Sequence, residues 1–543
     1  MGLDKIRRIF SFHVALGSIL VLWLSTLAEG SIWDSDIWWH LRNAEYLFTH
    51  GSFPQVDLFS FTVPGHPWVN HEWLAEVPYL LAWRVGGLAG IFLLFLSLLA
   101  INTIGIYYLA CEASGNPKAA LLVTAFAELL MKVSFGPRTI LFGYVFLLIL
   151  IVLLRRYRTT GQAPLWVIPP LFCLWINTHG SWLLGMIIFG LIIASGLAVW
   201  AAFYVRAAWH LYLHDAGAGL WAAFFRKAVR LETDIPGFEA GLGDGNWGRV
   251  EAERWSPAQV RRLFITMAAS VAALFVNPFT YRLVYYPFDL AFRQKLNIAV
   301  VDEWASVDFN DARGKVVLIL LAAVLAAALF SRVRWKLEEL ALAAFGLYAG
   351  LIHIRFLFLT AILLVPLLAR MVDFLPPYRR EVDKPALNAV IVGIILSIVI
   401  YRLPTRAELD VVMVKRFPVN ALKFVEEQGL TGRFFNRYMW GGYMIWFHPK
   451  MKTFIDSRTD IFEYAGILQD YMDTETITKP LEVLDKHQIR YVMVPPDYPL
   501  AYLLKNHVGW RQIYGDSTSV IIERIAPAPA AAPALGEGQR SNP

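Results

Sequence analysis

Directly after an apolar N-terminal run the chain reads Asp34-Ser35-Asp36-Ile37-Trp38-Trp39-His40-Leu41-Arg42. Two carboxylates at this spacing can hold a divalent cation such as Mg or Mn through oxygen ligands, or one can act as general base while the other fixes its partner. The same pair could instead cap a helix beginning at Ile37, the better reading for an isolated Asp-x-Asp. Its place at the end of an apolar segment, ahead of an aromatic cluster, favours chemistry. Further on, Gly65-His66-Pro67-Trp68-Val69-Asn70-His71-Glu72-Trp73 has the Trp, His and Pro density of a rigid loop, and carbohydrate sites often use aromatic faces of this kind. A tryptophan belt at headgroup level explains many of the 20 tryptophans, but not the His71-Glu72 pair.

Other polar residues sit unusually close to apolar runs: Arg138, Asn177, His179, Asn277, Asp302, Glu303, His353 and Arg355. Ionisable groups there are costly unless paired or used. Arg138 follows Gly136-Pro137 in a tight turn, and a guanidinium binds phosphate in bidentate fashion, so Arg138 and Arg355 are phosphate-binding candidates. For Arg355, snorkelling to an interface weighs equally. Asn177-Thr178-His179-Gly180-Ser181-Trp182 and Asn277-Pro278-Phe279 read better as helix-end turns, and Asp456-Ser457-Arg458-Thr459-Asp460, which could bind an acceptor, reads better residue by residue as a charged turn.

The elements that must position these groups follow from composition. With 57% hydrophobic and 17% charged residues, the 543-residue chain is too apolar for a soluble protein. It reads as an α-helical polytopic membrane protein. About eleven runs are long enough to be helices of about 20 residues in lipid, centred near Leu20, Leu96, Ala125, Phe146, Pro170, Leu191, Ala269, Ala323, Leu347, Leu363 and Ile395. The first run follows Lys5, Arg7 and Arg8 and is long for a cleaved signal peptide, so it reads as an uncleaved span. Basic residues fall in every second loop: at Lys118, at Arg155, Arg156 and Arg158, across 206–262, at Arg332, Arg334 and Lys336, and at Arg379, Arg380 and Lys384. Short basic loops stay cytoplasmic. The N-terminus is therefore expected inside, and the long loop 29–87 and everything after Tyr401 outside.

The net charge of +6 thus orients spans; no basic block interleaved with aromatics suggests nucleic acid. Trp209, Trp221, Phe224 and Phe225 beside Arg226, Lys227 and Arg230 suit either a helix on the inner leaflet or a solvated loop. Cys111 and Cys173 lie in or beside apolar runs, which argues against a disulfide framework.

From about Pro404 to Ile525 the pattern becomes that of a small soluble α/β domain, giving three parts: 1–403 in the membrane, 404–525 outside, and a Pro/Ala-rich tail, 526–543, expected to be disordered. Helices are expected at Pro418–Gln428, Tyr438–Phe447 and near Lys479–His487. Strands are expected at Arg433–Asn436, Thr453–Asp456 and Arg490–Val494, with a hairpin turning at Gly515-Asp516.

An Asp-x-Asp after the first span, a long outer loop, many spans and a C-terminal soluble domain together resemble the GT-C superfamily of membrane glycosyltransferases. More narrowly, Asp34-x-Asp36-x-Trp38-Trp39-His40-Leu41-Arg42 is similar to the first-loop motif of oligosaccharyltransferase catalytic subunits. Tyr438-Met439-Trp440-Gly441-Gly442-Tyr443, followed by the strand Thr453–Asp456, resembles their Trp-Trp-Asp-Tyr-Gly region, with its Asp missing. The resemblance implies inverting transfer from a polyprenyl-phosphate-linked sugar to a lipid, glycan or protein acceptor, at the outer face of a bacterial plasma membrane. In that reading Asp36 is the base, while Asp34, with Asp36 and with Asp302 or Glu303, holds a cation against the leaving phosphate. His40, Arg42, His71, Glu72, Arg138, His179, Arg355, Trp440 and Tyr443 are then substrate-binding candidates. A transporter or flippase of lipid-linked saccharides is the competing expectation, but the polar residues gather at one membrane face rather than at mid-membrane.

Overall fold

The structure is a computed structural model that describes residues 9–214, 250–251, 255–330, 335–372 and 374–525, without the side chains of 199–200, 202–214 and 250–251. Lys5, Arg7, Arg8, Arg332, Arg334, the side chains of the aromatic and basic 206–230 stretch, and the tail after Ile525 lie outside the described residues.

The protein is mostly helical, with a small sheet near its C-terminus. In chain order the helices of the first part are α1 (Phe12–Leu27), α2 (Asp36–His50), α3 (Trp73–Ser114), α4 (Pro117–Met131), α5 (Ile140–Thr160), α6 (Ile168–Thr178) and α7 (Trp182–His214). They continue as α8 (Pro257–Ala273), α9 (Tyr281–Arg293), α10 (Lys295–Val300), α11 (Ala312–Phe330), α12 (Leu337–Ile352), α13 (Leu357–Met371) and α14 (Pro385–Tyr401). Two-residue strands β1 (Val250–Glu251) and β2 (Trp335–Lys336) pair in parallel.

Each of the eleven expected span centres falls within a helix. Among the described residues, four segments are long and apolar enough to cross a membrane: α3, α5, α11 and Ile354–Met371, which contains α13. A fifth counts if α14 and the following helix α15 (Arg406–Arg416), bent by 53°, form one span. The remaining apolar helices are shorter, counting α7 only over Trp182–Ala198, where its side chains are described. α4 has 15 residues and α6 only 11, and at about 1.5 Å per residue these fall short of a hydrocarbon layer of about 30 Å. Gly115-Asn116-Pro117 and His179-Gly180 end helices inside stretches that average hydropathy reads through.

α3 is broken at Gly87, whose φ of 57° and ψ of −136° only glycine adopts without strain. Its first turns, which carry Glu76, are thereby set at an angle to the long apolar section, whose residues join α1, α4, α5 and α13 in the main apolar core.

After α15 come α16 (Val419–Glu427), α17 (Tyr438–Phe447), α18 (Thr459–Tyr464), α19 (Ile467–Glu475), α20 (Pro480–Lys486) and α21 (Pro499–Lys505). The sheet has the order β3 (Phe434–Asn436), β4 (Tyr491–Val494), β6 (Val520–Arg524), β5 (Trp510–Gly515). β3 and β4 run parallel, as the crossover through α17 to α20 requires, and the others are antiparallel. A second apolar cluster, including Phe435, Phe454, Val492 and Ile522, lies against the sheet and takes in Trp39 and Trp68 from the first loop.

The expected strand at Thr453–Asp456 does not join this sheet. Its backbone bonds go to the first loop instead: Phe61 N donates to Thr453 O at 3.0 Å and Thr453 N to Phe59 O at 3.1 Å. The Asn436 side chain takes the place of a ladder partner, accepting from Phe454 N and donating to Ile455 O, both at 2.8 Å. The two resembling motifs also meet directly. A side chain on Gly442 would strike the Ser35 carbonyl, and one on Gly441 the Ile455 carbonyl, so both glycines allow α17 to lie against its neighbours.

Candidate active site

A cavity of about 460 Å³ opens where the start of α2, the 302–304 turn, α9 and α10 meet the Arg437–Trp440 and Ser457–Asp460 segments. Of the residues singled out in the sequence, Asp34, Asp36, His71, Glu72, Arg138, Asp302, Glu303, Arg355 and Trp440 line it. His40, Arg42, His179 and Tyr443 do not.

Asp34 is 4% exposed and makes two commitments. Its Oδ1 accepts from the Asp36 amide at 2.8 Å, holding the first turn of α2, and its Oδ2 accepts from Arg138 Nε at 2.8 Å. Burial pushes its carboxyl up to about 6, against the pull of Arg138, and Asp36 adds to the rise. Arg138 pairs through Nη1 with Glu303, and these two acids hold the guanidinium firmly charged despite its burial. Burial would raise Glu303, but Arg138 and then Arg355 bring it below its ordinary range. Asp36 is oriented through Oδ1 alone, which accepts from Ser35 Oγ at 3.1 Å and from Trp39 Nε1 at 3.4 Å. Among the described residues its Oδ2 has no hydrogen-bond partner.

Behind this wall lies a buried charge network. His40 sits between two carboxylates, with Nε2 at 3.2 Å from Glu72 and Nδ1 at 3.0 Å from Glu76. Burial disfavours its charge, but hydrogen bonds to both glutamates outweigh that and raise it to about 10, so it donates to both as imidazolium. Asn43 and Asn70 donate to the Glu76 oxygens at 3.3 and 2.8 Å. Glu72 also meets His71 at 3.5 Å and His179 at 3.2 Å, and chiefly His71, then His40, hold it well below the carboxylate range against the effect of burial. His179 is pushed by burial down to about 4. Its Nδ1 accepts from the Ser181 amide at 2.9 Å, which leaves a neutral ring donating to Glu72 through Nε2.

His40 and His179 are therefore supports of Glu72 and not ligands of the cavity. Arg42 is structural too: it pairs with Glu45 at 2.6 Å and donates to the Ile445 and Trp446 carbonyls at 3.2 and 2.8 Å, where α17 ends. Tyr443 stacks on Phe417 in the core, with ring centroids 5.0 Å apart. Trp440 faces the cavity and donates to the Arg416 carbonyl at 3.0 Å.

Tyr286, Arg416 and Arg437 line the cavity without a counterpart among the expected residues, and Arg458 and Asp460, from the segment weighed as a charged turn, line it as well. Asp460 accepts from Tyr286 Oη at 3.3 Å, and burial raises its carboxyl. Arg458, 3% exposed, bonds Asp456 at 2.8 and 2.7 Å and Asp57 of the first loop at 2.7 Å. The segment expected as a charged turn is thus an ionic clasp between distant parts of the chain, and only the excess of charge over what a turn needs hinted at it. Arg355 stacks over Trp304 at 4.2 Å, and Arg416 over Trp33 at 4.4 Å. Among the described residues, no carboxylate lies within ion-pair distance of Arg355, Arg416 or Arg437.

The expected cation ligands do not converge as a set. Among the described residues no group of three or more His, Cys, Asp or Glu is arranged to hold a metal ion. Asp34 and Glu303 both turn to Arg138, whose positive charge stands between them. No protein-family model matches the chain, and no curated protein sequence matches it at a significant level.

Proposed function

We propose that this protein is a membrane glycosyltransferase of the GT-C type, moving a sugar from a polyprenyl-phosphate-linked donor to a lipid, glycan or protein acceptor. The observation that carries the reading is the content of the cavity: Asp36, with one carboxylate oxygen unpartnered among the described residues, shares it with Arg355, Arg416 and Arg437, none of which has a described carboxylate within ion-pair distance. Unpaired guanidiniums suit a phosphate, and an oriented carboxylate suits removal of a hydroxyl proton. Apolar helices close by supply surroundings for a lipid chain.

In the inverting reaction the acceptor hydroxyl gives its proton to Asp36 and attacks the anomeric carbon. The bond from that carbon to the phosphate oxygen breaks, and the polyprenyl phosphate leaves with its charge facing Arg355, Arg416 and Arg437. Asp34 and Glu303 fix Arg138 beside this path, and Glu72, held by His40, His71 and His179, lines the same cavity. All eleven helices cross the bacterial plasma membrane in this reading, the short ones where the bilayer is locally thinned, with the N-terminus cytoplasmic and the cavity and C-terminal sheet outside. A reporter fused after Ile525 is then active only outside the cytoplasm, and cytoplasmic activity would overturn the orientation. Asp36→Asn abolishes sugar transfer while insertion and thermal stability stay at the wild-type level; full activity in that variant removes the proposed base.

A further inference from the structure

Glu128 lies in α4 near its C-terminal end and is fully buried. α4 packs against α3 and α13, both part of the most apolar segments of the chain. Among the described residues no group stands in hydrogen-bond geometry with either carboxylate oxygen of Glu128. The same is true of Thr124 Oγ1, one turn earlier on α4, and of Thr103 Oγ1 and Asn102 Oδ1 on α3. All four residues are 0% exposed.

The Glu128, Thr103 and Thr124 oxygens belong together. Thr103 is close enough to act on the Glu128 carboxyl, and Thr124 shares its helix face through the i, i+4 spacing. Asn102 uses its amide hydrogens on the Leu98 carbonyl at 2.9 Å and the Leu141 carbonyl at 3.1 Å, which leaves its oxygen a pure acceptor. No basic side chain among the described residues pairs with Glu128. A carboxylate among apolar helices, with only threonine hydroxyls near it, still costs several kcal/mol or more. One positive charge must accompany it.

We propose that Glu128, Thr103 and Thr124 form an internal site, separate from the cavity, that binds one positive charge through oxygen donors: a proton or a sodium-sized monovalent cation. A single carboxylate matches a single charge, whereas divalent ions are held by more carboxylates or retained waters. The site does not depend on the glycosyltransferase reading.

The test compares full-length wild type with Glu128→Gln in lipid nanodiscs, recording melting temperature against pH and, at constant ionic strength, against Na⁺ replacing choline. A wild-type-minus-variant difference that grows with Na⁺ identifies the cation, and one that changes with pH alone identifies the proton. Parallel curves under all conditions overturn the site. Where the variant does not accumulate, dicyclohexylcarbodiimide, which attacks protonated carboxyls in apolar surroundings, decides on the wild type. Label mapped to Glu128 by peptide mass spectrometry supports the site, with Na⁺ protection distinguishing cation from proton, and no label on Glu128 overturns it.

Discussion

Replacing His40 by glutamine removes the one charge that faces both Glu72 and Glu76. Two routes give the size of the effect. The imidazole moves from an ordinary 6.5 to about 10 in the fold, and at about 1.4 kcal/mol per unit that is worth about 5 kcal/mol. Breaking a buried ion pair from one side costs about 3–5 kcal/mol. Glu76 keeps Asn43 and Asn70, and Glu72 keeps His71 and His179, so the lower end of the range is expected. The sign follows from the raised value: the contribution is fully present below 6.5 and is lost as pH rises through 10. Denaturant or thermal unfolding of the full chain in detergent should therefore show His40→Gln about 3 kcal/mol less stable at neutral pH, with the gap closing in alkali. A gap under about 1 kcal/mol, or one that does not change with pH, would refute the double ion pair.

The opposite sign belongs to His179, lowered to about 4. Its contribution is present above 6.5 and lost as pH falls toward 4, so wild-type stability drops on that limb while His179→Gln gives a flatter curve. Arg355→Gln should remove a charge-assisted hydrogen bond to the donor phosphate worth about 1.5–3 kcal/mol, raising the donor KM about 10- to 100-fold; an unchanged KM assigns Arg355 to its Trp304 stack alone. Gly442→Ala places a methyl against the Ser35 carbonyl, and overpacking of this kind costs about 1–3 kcal/mol in thermal unfolding. A neutral result there would mean that α17 does not lie tightly on the first loop.

The acids of the first loop, His71-Glu72 and Arg138 were legible because charged groups beside apolar runs have few places to go, and the cavity collects them. Their individual tasks were not legible. His40 lies one turn beyond Asp36 on α2, yet the neighbour it meets is Glu76, brought to it by the broken start of α3. Arg42 is spent on the carbonyl ends of α17, a contact 403 residues away in sequence. Arg458 and Asp460 read as an ordinary charged turn, because the partner that makes the clasp, Asp57, stands in the first loop. The Thr453–Asp456 segment has a strand's composition, but its hydrogen bonds are claimed by residues 59–61 before a ladder can form. Helix positions were set by apolar runs, while helix lengths were set by Gly, Pro and Asn breaks that averaged hydropathy does not register.

The proposed transfer is tested most directly by mass spectrometry of envelope glycans and lipid-linked sugars from cells making wild type or Asp36→Asn at equal levels. The account predicts that a sugar present on an envelope acceptor with wild type disappears with the variant, while its polyprenyl-phosphate-linked donor accumulates on the outer face. Identical glycan profiles would contradict it, and donor accumulating only on the cytoplasmic face would mark a flippase instead.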